Sequence, residues 1–375
     1  MKKFLSALTV FFMVISTSIA AFGAEVPNVE EIESKIQSGA EYVASQAGTY
    51  GVSSAYSFER LVRCGAELDK YSEVFVEDVK SNLQANGGRL IVSEYDYYTD
   101  TYNEVESITY YASVIRALDE IGEDATDIDG VDLTALFLNY GADTVVDNPY
   151  MYANIIYVAT FYGEENLAKA YIDKMIADYY VMGSGLNYYG YSCDNTAHFI
   201  EALGFYCYEY SQYVEDAVDV IRNYKLENGY FSDSTYGTQA NANSTALALE
   251  ALSIALPYCD SITEQELDEA YSMLCNFETE QNGIYDFTEN TTPNAFATAD
   301  AIVGLYEYFP YVLLRDAEDE PIDQPVEEEP IDKPVKEEPT DKDEPVKTSP
   351  ETGALSMPLA LISVAAGILI LKKTR

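Results

Sequence analysis

Four acidic residues lie in alanine-rich segments of the chain, Glu59, Glu201, Glu250 and Asp300, and the first three occupy the same position of a repeated pattern. Glycoside cleavage needs two carboxyl groups about 5 to 10 Å apart, one to protonate the leaving oxygen and one to attack or to activate water. Glu59, Glu201 and Asp300 are therefore the candidates for catalysis. Repetition at one position is also what a structural layer of a fold produces, and the pattern favours that interpretation.

A second cluster has the side-chain types of a zinc site. Cys193, Asp194 and His198 lie within six residues, and His198 is the only histidine of the chain. Zinc takes thiolate, imidazole and carboxylate ligands. An N-terminal helix cap at Asp194, with His198 one turn later, explains the cluster without a metal. We therefore expect no metal ion and no cofactor.

Tyrosine offers a third kind of chemistry, because its flat apolar face and hydroxyl suit stacking on sugars. The chain has 34 tyrosines and no tryptophan, so tyrosine as a simple replacement for tryptophan stays an open alternative. Tyrosines crowd the loops that lead into the alanine-rich segments. The candidates for ligand binding are Tyr97, Tyr98, Tyr150, Tyr188, Tyr189 and Tyr236.

The elements that position these residues follow an eight-residue pattern with helical spacing, as in "TALALEAL" from Thr245 and "TADAIVGL" from Thr298. Six copies align on Ala55, Ala112, Ala153, Ala197, Ala246 and Ala299. A more charged segment with one apolar stripe precedes each copy, at 29–46, 72–85, 130–141, 165–180, 211–225 and 263–280. Six inner and six outer helices in alternation predict an all-α fold, a closed α6/α6 toroid over residues 25–315.

Helix start signals agree with the inner set. Asn148 stands before Pro149, which suits a cap followed by proline at the first helical position. Asp194, Asn195, Asn243 and Asn294 stand before other inner helices.

At the level of its repeats the chain resembles the terpenoid cyclase and protein prenyltransferase superfamily, which also places a glycine-aromatic turn before an alanine-rich inner helix. The turns here begin at Asn86, Asn228 and Asn282. The resemblance implies a central cup for a ligand. The acid motifs of its cyclases are not matched, because the nearest stretch, "DIDG" at 127–130, lacks consecutive acids. The zinc spacing of its prenyltransferases is not matched either, and vitamin B12 carriers use the same toroid purely for binding.

The two ends of the chain predict export and wall anchoring. Residues 1–24 have the basic start and apolar run of a signal peptide. Residues 316–348 form an acidic proline-rich stretch, predicted to be a disordered stalk. "SPETG" at 349–353, followed by an apolar segment at 354–371 and a basic tail, resembles the sorting signal of sortase-anchored proteins of Gram-positive bacteria. The resemblance implies sortase as a partner, cleavage between Thr352 and Gly353, and covalent attachment to peptidoglycan through Thr352. The first residue of the pentapeptide departs from the usual leucine.

Charge and cysteine content limit the partners further. The formal net charge is -43, which repels nucleic acid, anionic lipid and polyanionic glycans. The five cysteines are too few for a disulfide framework, and a Cys259–Cys275 bridge is the first pairing we expect.

Taken together, the sequence favours a cell-wall-anchored surface protein whose toroid binds a small ligand or a surface partner without catalysis, so that it is not an enzyme. The alternative is an extracellular enzyme, either active on glycosides through inner-helix carboxylates or metal-dependent around His198.

Overall fold

The computed structural model describes residues 27–96, 99–233, 239–288 and 291–319. The predicted signal peptide, nearly all of the predicted stalk and the sorting signal with its apolar segment lie outside the described residues, and so do Tyr97, Tyr98 and Tyr236. Within the described ranges, no helix is both long and apolar enough to cross a membrane.

Twelve α-helices make up the described part, and they alternate between an outer and an inner set. The outer helices are α1 (Val29–Ala47), α3 (Asp69–Ala85), α5 (Leu133–Leu138), α7 (Glu165–Tyr179), α9 (Ser211–Asn223) and α11 (Glu264–Cys275). The inner helices are α2 (Ala55–Val62), α4 (Ile108–Glu120), α6 (Tyr152–Phe161), α8 (Cys193–Leu203), α10 (Ala242–Ala255) and α12 (Ala295–Asp319).

The inner helices form a closed ring. Each packs against the next, from α2 to α12, and α12 packs against α2, while α1 covers α12 from outside. This arrangement confirms the predicted α/α toroid.

Small residues let the inner helices approach each other closely. A side chain added at Gly304 of α12 would stand 2.6 Å from the carbonyl oxygen of Ala246 on α10, so backbone meets backbone there. The outer helices need only one apolar face; in α9 that face buries Val214, Ala217, Val218, Val220 and Ile221.

In two of the repeats, the threonine that opens the pattern ties the glycine-aromatic turn to its inner helix. The backbone N–H of Phe231 donates to Thr245 Oγ1 at 3.3 Å, and the N–H of Tyr285 donates to Thr298 Oγ1 at 3.0 Å. The turn glycines Gly229 and Gly283 have φ of 92° and 69°, which glycine adopts at no steric cost. The repeated spacing between turn and helix therefore has a hydrogen-bonding cause.

The helix starts differ in part from those predicted. Asn148 does cap a short 3₁₀ turn, Pro149–Met151, that leads directly into α6, and Asn294 accepts from the N–H of Ala297. The cap of α8 is Ser192 and the cap of α10 is Asn241. Each of these two helices begins earlier than expected, so Asp194, Asn195 and Asn243 lie inside the first turn and their side chains are left for other contacts.

Two β-hairpins were missed by the sequence analysis. Strands β1 (Val92–Asp96) and β2 (Thr101–Val105) pair antiparallel between α3 and α4, in a stretch interpreted as a loop. Strands β3 (Tyr180–Val181) and β4 (Gly185–Leu186) form a shorter hairpin before α8.

The expected Cys259–Cys275 disulfide is wrong. All five cysteines are free, and four of them are buried. Cys259 Sγ lies 3.2 Å from the hydroxyl of Ser261 in its own loop, whereas Cys275 lies beside Tyr271 and Lys35. The core holds together by packing without a crosslink.

Candidate active site

Charged and polar side chains from the six inner helices or their flanking turns converge on the axis of the ring, in two layers. The N-terminal parts of neighbouring inner helices touch one another, as in the hydrogen bond between Asn243 in the first turn of α10 and Asp300 in the second turn of α12. The helices therefore start at one end of the ring, which we call the N-terminal mouth. One layer of charge lies deep on the axis and the other lies at this mouth.

The deep layer is a network of arginines and glutamates. Arg63, just after α2, lies 2.6 Å from Glu201, 3.2 Å from Glu250 and 3.8 Å from Glu59. Arg116 of α4 adds a contact of 2.9 Å to Glu59. Glu59 is 0% exposed and Glu250 is 1% exposed, so substrate cannot reach them.

The protonation states of the glutamates in this layer depend on their burial and on their distances to the arginines. Burial alone would raise the pKa of Glu201, but Arg63, His198 and Arg60 together hold it well below its usual range. Burial and the neighbouring Glu201 charge raise the pKa of Glu250 well above its usual range. Glu201 is therefore a fixed carboxylate and Glu250 a buried neutral acid. Glu59 and Glu250 therefore have a structural role in the ion-pair network. Glu201 connects the two layers, because it contacts both Arg63 and Arg60.

The layer at the N-terminal mouth includes Arg60 of α2. Its guanidinium donates to Asp300 Oδ1 at 3.0 Å and lies 3.7 Å from Glu201. The second oxygen of Asp300 accepts from the Asn243 amide at 2.6 Å. Asp300 is 8% exposed, and both of its oxygens accept hydrogen bonds, as those of an ionised carboxylate do.

Asp194, the second residue of α8, differs from Asp300 in its hydrogen bonding. Its Oδ1 is buried and makes no hydrogen bond. Burial is the main cause that raises the pKa of Asp194 to about 8, and the nearby charges of Asp233 and Asp300 raise it further. The backbone places Asp233 there, because its carbonyl accepts from the N–H of Cys193 at 2.9 Å. At neutral pH Asp194 therefore holds a proton.

An aromatic pair completes the mouth. The Tyr150 ring packs against the imidazole of His198 at a tilt of 38°, with centroids 4.3 Å apart, and the Tyr150 hydroxyl donates to Asn195. His198 Nδ1 lies 2.8 Å from Glu201 Oε2. Since Glu201 is a carboxylate, Nδ1 carries the proton of this hydrogen bond, and Nε2 is left for a contact outside the pair.

The three residues considered for a metal point to different neighbours. Cys193 is 0% exposed and its Sγ lies 3.9 Å from the Ser244 carbonyl of α10, whereas His198 faces Tyr150, beside α6. Across the described ranges, no group of three or more histidine, cysteine or acidic side chains is arranged to hold a metal ion. Asp194 and His198 belong to the mouth, and Cys193 belongs to the core.

Several members of the site were not named from the sequence. Arg60, Arg63 and Arg116 are its cations, and Asn243 and Asp233 hold or polarise its carboxyl groups. A signal for the arginines existed, since Arg60 lies in an inner helix and Arg63 directly follows it, next to apolar residues of that helix. The predicted sugar-stacking residues Tyr150, Tyr188 and Tyr189 do lie together beside the mouth.

Two clefts on the outside of the toroid do not involve these residues. The larger, about 460 Å³, is lined mainly by carboxylates of α3 and of the loop after α4. The smaller, about 330 Å³, is lined by Thr279, Glu280, Gln281 and Thr291.

No protein-family model matches the chain, and no curated protein matches it. Solved structures do resemble it. A polysaccharide lyase has a TM-score of 0.51 at 12% identity, covering 76% of this chain and 98% of its own. A family 88 glycosyl hydrolase from Bacteroides vulgatus has a TM-score of 0.51 at 13% identity, covering 76% and 100%. A variant of the type II terpene cyclase MstE from Scytonema, in complex with its substrate, has a TM-score of 0.50 at 12% identity, covering 75% and 98%.

These similarities establish the toroid fold. All three proteins are enzymes, whereas the sequence favoured a protein that binds without catalysis. The expectation of a non-catalytic binding module, and with it the expectation that the chain is not an enzyme, is corrected on this finding in favour of the enzyme alternative.

Proposed function

We propose that this protein is an extracellular glycoside hydrolase whose active site is the N-terminal mouth of the toroid. The observation that carries the proposal is the contrast between two carboxyl groups that sense each other. Asp194 is protonated at neutral pH, whereas Asp300 is held as a carboxylate by Arg60 and Asn243. Two acidic residues in opposite protonation states are what acid–base cleavage of a glycosidic bond requires.

Asp194 has the properties of the general acid. It donates its proton to the leaving oxygen while the bond from that oxygen to the anomeric carbon breaks, so the leaving sugar departs as a neutral alcohol. Unlike Glu59 and Glu250, Asp194 is partly exposed.

Asp300 has the properties of the second carboxylate. It accepts the proton of the attacking water, or bonds to the anomeric carbon and is later released by water. Arg60 binds one of its oxygens and Asn243 binds the other, which fixes the position of the carboxylate, and the residue is 8% exposed. His198 uses Nδ1 for Glu201, which leaves Nε2 for a hydrogen bond to a sugar hydroxyl.

The charge of the protein selects the substrate class. A net charge of -43 disfavours polyanionic glycans, so we propose a neutral glycan. This argues against the uronic acid substrates that β-elimination requires. Because the fold is also similar to that of a polysaccharide lyase, the assay includes a test for elimination. Elimination would give an unsaturated product that absorbs ultraviolet light.

Export and anchoring are part of the proposal. The signal-peptide-like residues 1–24, the acidic proline-rich residues 316–348 and the pentapeptide ending in Thr352 and Gly353 support a wall-anchored enzyme on a Gram-positive surface. Mass spectrometry of muralytic wall digests tests this, since peptidoglycan fragments should be bound to the carbonyl of Thr352. Recovery of the intact C-terminus in the membrane fraction would contradict it.

The activity is tested by incubating the secreted chain with pullulan, barley β-glucan, galactomannan, xyloglucan and the anionic polymer polygalacturonate. New reducing ends from a neutral polymer are expected, and their loss in Asp194→Asn and Asp300→Asn. Turnover that survives both substitutions would refute the site.

A further inference from the structure

The turn before α8 contains a solvent-exposed tyrosine in an unfavourable backbone conformation. Tyr189 has φ of 55° and its side chain is 92% exposed. The left-handed region is costly for a residue with a bulky side chain, and such strain persists only where the surroundings enforce it. Burial does not explain this tyrosine, because almost none of its ring is covered.

The surroundings that enforce the turn belong to the candidate active site. Asn195 of α8 donates through its amide to the carbonyls of Tyr188 at 3.0 Å and Gly190 at 2.8 Å, on both sides of Tyr189. The N–H of Gly190 donates to Asn187 Oδ1 at 3.2 Å, which closes the turn. The same Asn195 accepts from the Tyr150 hydroxyl. One buried amide therefore fixes both the exposed turn and the tyrosine that packs against His198.

The rings form a continuous path from solvent to that histidine. Tyr189 lies 4.5 Å from Tyr188, Tyr188 lies 5.4 Å from Tyr150, and Tyr150 lies 4.3 Å from His198, measured between centroids. Tyr188 is partly buried and Tyr189 is open. Tyr150 and Tyr188 meet edge to face, at 77°, and Tyr188 and Tyr189 are tilted by 51°. The rings therefore offer apolar surface in different directions along the path.

We infer that Tyr189 is a distal sugar-stacking residue, and that the substrate is a neutral oligosaccharide or polysaccharide long enough to reach from the mouth to this ring. This rests on the proposed function for the position of cleavage, and adds that a single sugar or a short glycoside does not fill the site. Tyr150 and Tyr188 serve sugars nearer the bond that breaks.

The backbone of the turn allows a clean test. Glycine adopts a φ of 55° without strain, so Tyr189→Gly removes the ring while leaving or improving the fold, and Tyr189→Phe keeps the ring. Tyr208→Ala is the matched control, since Tyr208 is 67% exposed after α8, at the other end of that helix. Binding is measured by affinity electrophoresis and calorimetry in the full secreted chain carrying Asp194→Asn, with the neutral polymers named above and with their oligosaccharides of two to six sugars.

Tyr189→Gly is expected to weaken binding of the polymers and the longer oligosaccharides about tenfold, with no effect on the disaccharides. Tyr189→Phe and Tyr208→Ala should bind as the parent does. In the active chain, KM for the long substrate should rise and that for a chromogenic monosaccharide glycoside should not. Equal binding by Tyr189→Gly and its parent would overturn the inference, as would an equal loss for the disaccharides and the polymers. Ring-dependent glycan binding without any turnover by the active chain would sustain the inference and refute the hydrolase.

Discussion

Arg60 on the first inner helix donates to Asp300 on the last at 3.0 Å, across 240 residues of sequence. The contact closes the ring at the level of the candidate active site, because Arg60 also lies 3.7 Å from Glu201 of α8. The side chain that joins the ends of the toroid is thus the one that positions a proposed catalytic carboxylate. Fold closure and chemistry depend on the same guanidinium.

Replacing Arg60 by lysine should therefore reduce activity more than stability. Lysine keeps the charge but lacks the planar fork that reaches Asp300 and Glu201 at once. We expect kcat/KM to fall about 10- to 100-fold, with a change of only a few degrees in Tm. Steady-state kinetics and calorimetry on the same samples check this, and unchanged kcat/KM would show that Asp300 does not need its arginine.

Asp194→Asn should lose activity and gain stability at alkaline pH. The folded pKa of Asp194 is about 8 against an ordinary value of 3.8. The folded state thus retains a proton that the unfolded chain releases as pH rises above about 4. This stabilisation is full below pH 4 and is lost progressively as pH rises through 8. Asparagine cannot ionise, so the difference in Tm between variant and wild type should shift towards the variant between pH 5 and pH 9. A constant difference would mean that the carboxyl is not protonated in the fold.

Turnover should also decrease at alkaline pH, where Asp194 loses its proton. A general acid must be protonated in the free enzyme, so kcat/KM should fall as pH rises through about 8. A glycoside whose leaving group needs no protonation, such as a dinitrophenyl glycoside, should lose little activity over the same range. An equal alkaline fall for both substrates would place the titration on another group.

The deep network should matter for folding. Arg63→Met leaves Glu201 as a buried carboxylate without its 2.6 Å partner and should cost about 3 to 5 kcal/mol in the free energy of unfolding. Adding Glu201→Gln should restore part of that loss, because the uncompensated charge is gone. Urea unfolding of both variants measures this, and an additive double variant would contradict a coupled pair.

Close helix packing gives a prediction independent of function. Gly304→Ala places a methyl group 2.6 Å from the Ala246 carbonyl and should destabilise the fold by about 1 to 3 kcal/mol. Gly141→Ala is the control, because nothing lies within 4 Å of the added methyl group there. Equal Tm values for the two variants would show that α10 and α12 can separate at no cost.

The architecture could be read from the sequence because its causes are local. The eight-residue pattern shows which face of each inner helix packs against a neighbouring helix. The single apolar stripe of each outer segment shows that it packs on the outside of the inner helices. The early start of α8 was missed because Ser192, rather than Asp194, supplies the cap. That difference of two residues frees Asp194 for chemistry.

The site was less predictable because its causes are distant in sequence. The pKa of Asp194 depends on Asp233 and on Asp300 of another repeat, and periodicity carries no information on such contacts. Glu59 and Glu201 were identified as facing inward, but only the arginines determine that they are locked in ion pairs. The strained backbone of Tyr189 likewise depends on a hydrogen bond from Asn195, which the sequence does not reveal.

The most direct test measures new reducing ends from neutral polysaccharides with wild-type protein and with Asp194→Asn, side by side at pH 6. We predict hydrolysis of at least one neutral polymer by the wild type and a reduction of about 100- to 10,000-fold in the variant. Undiminished turnover by Asp194→Asn, or cleavage of polygalacturonate alone with an unsaturated product, would contradict the account.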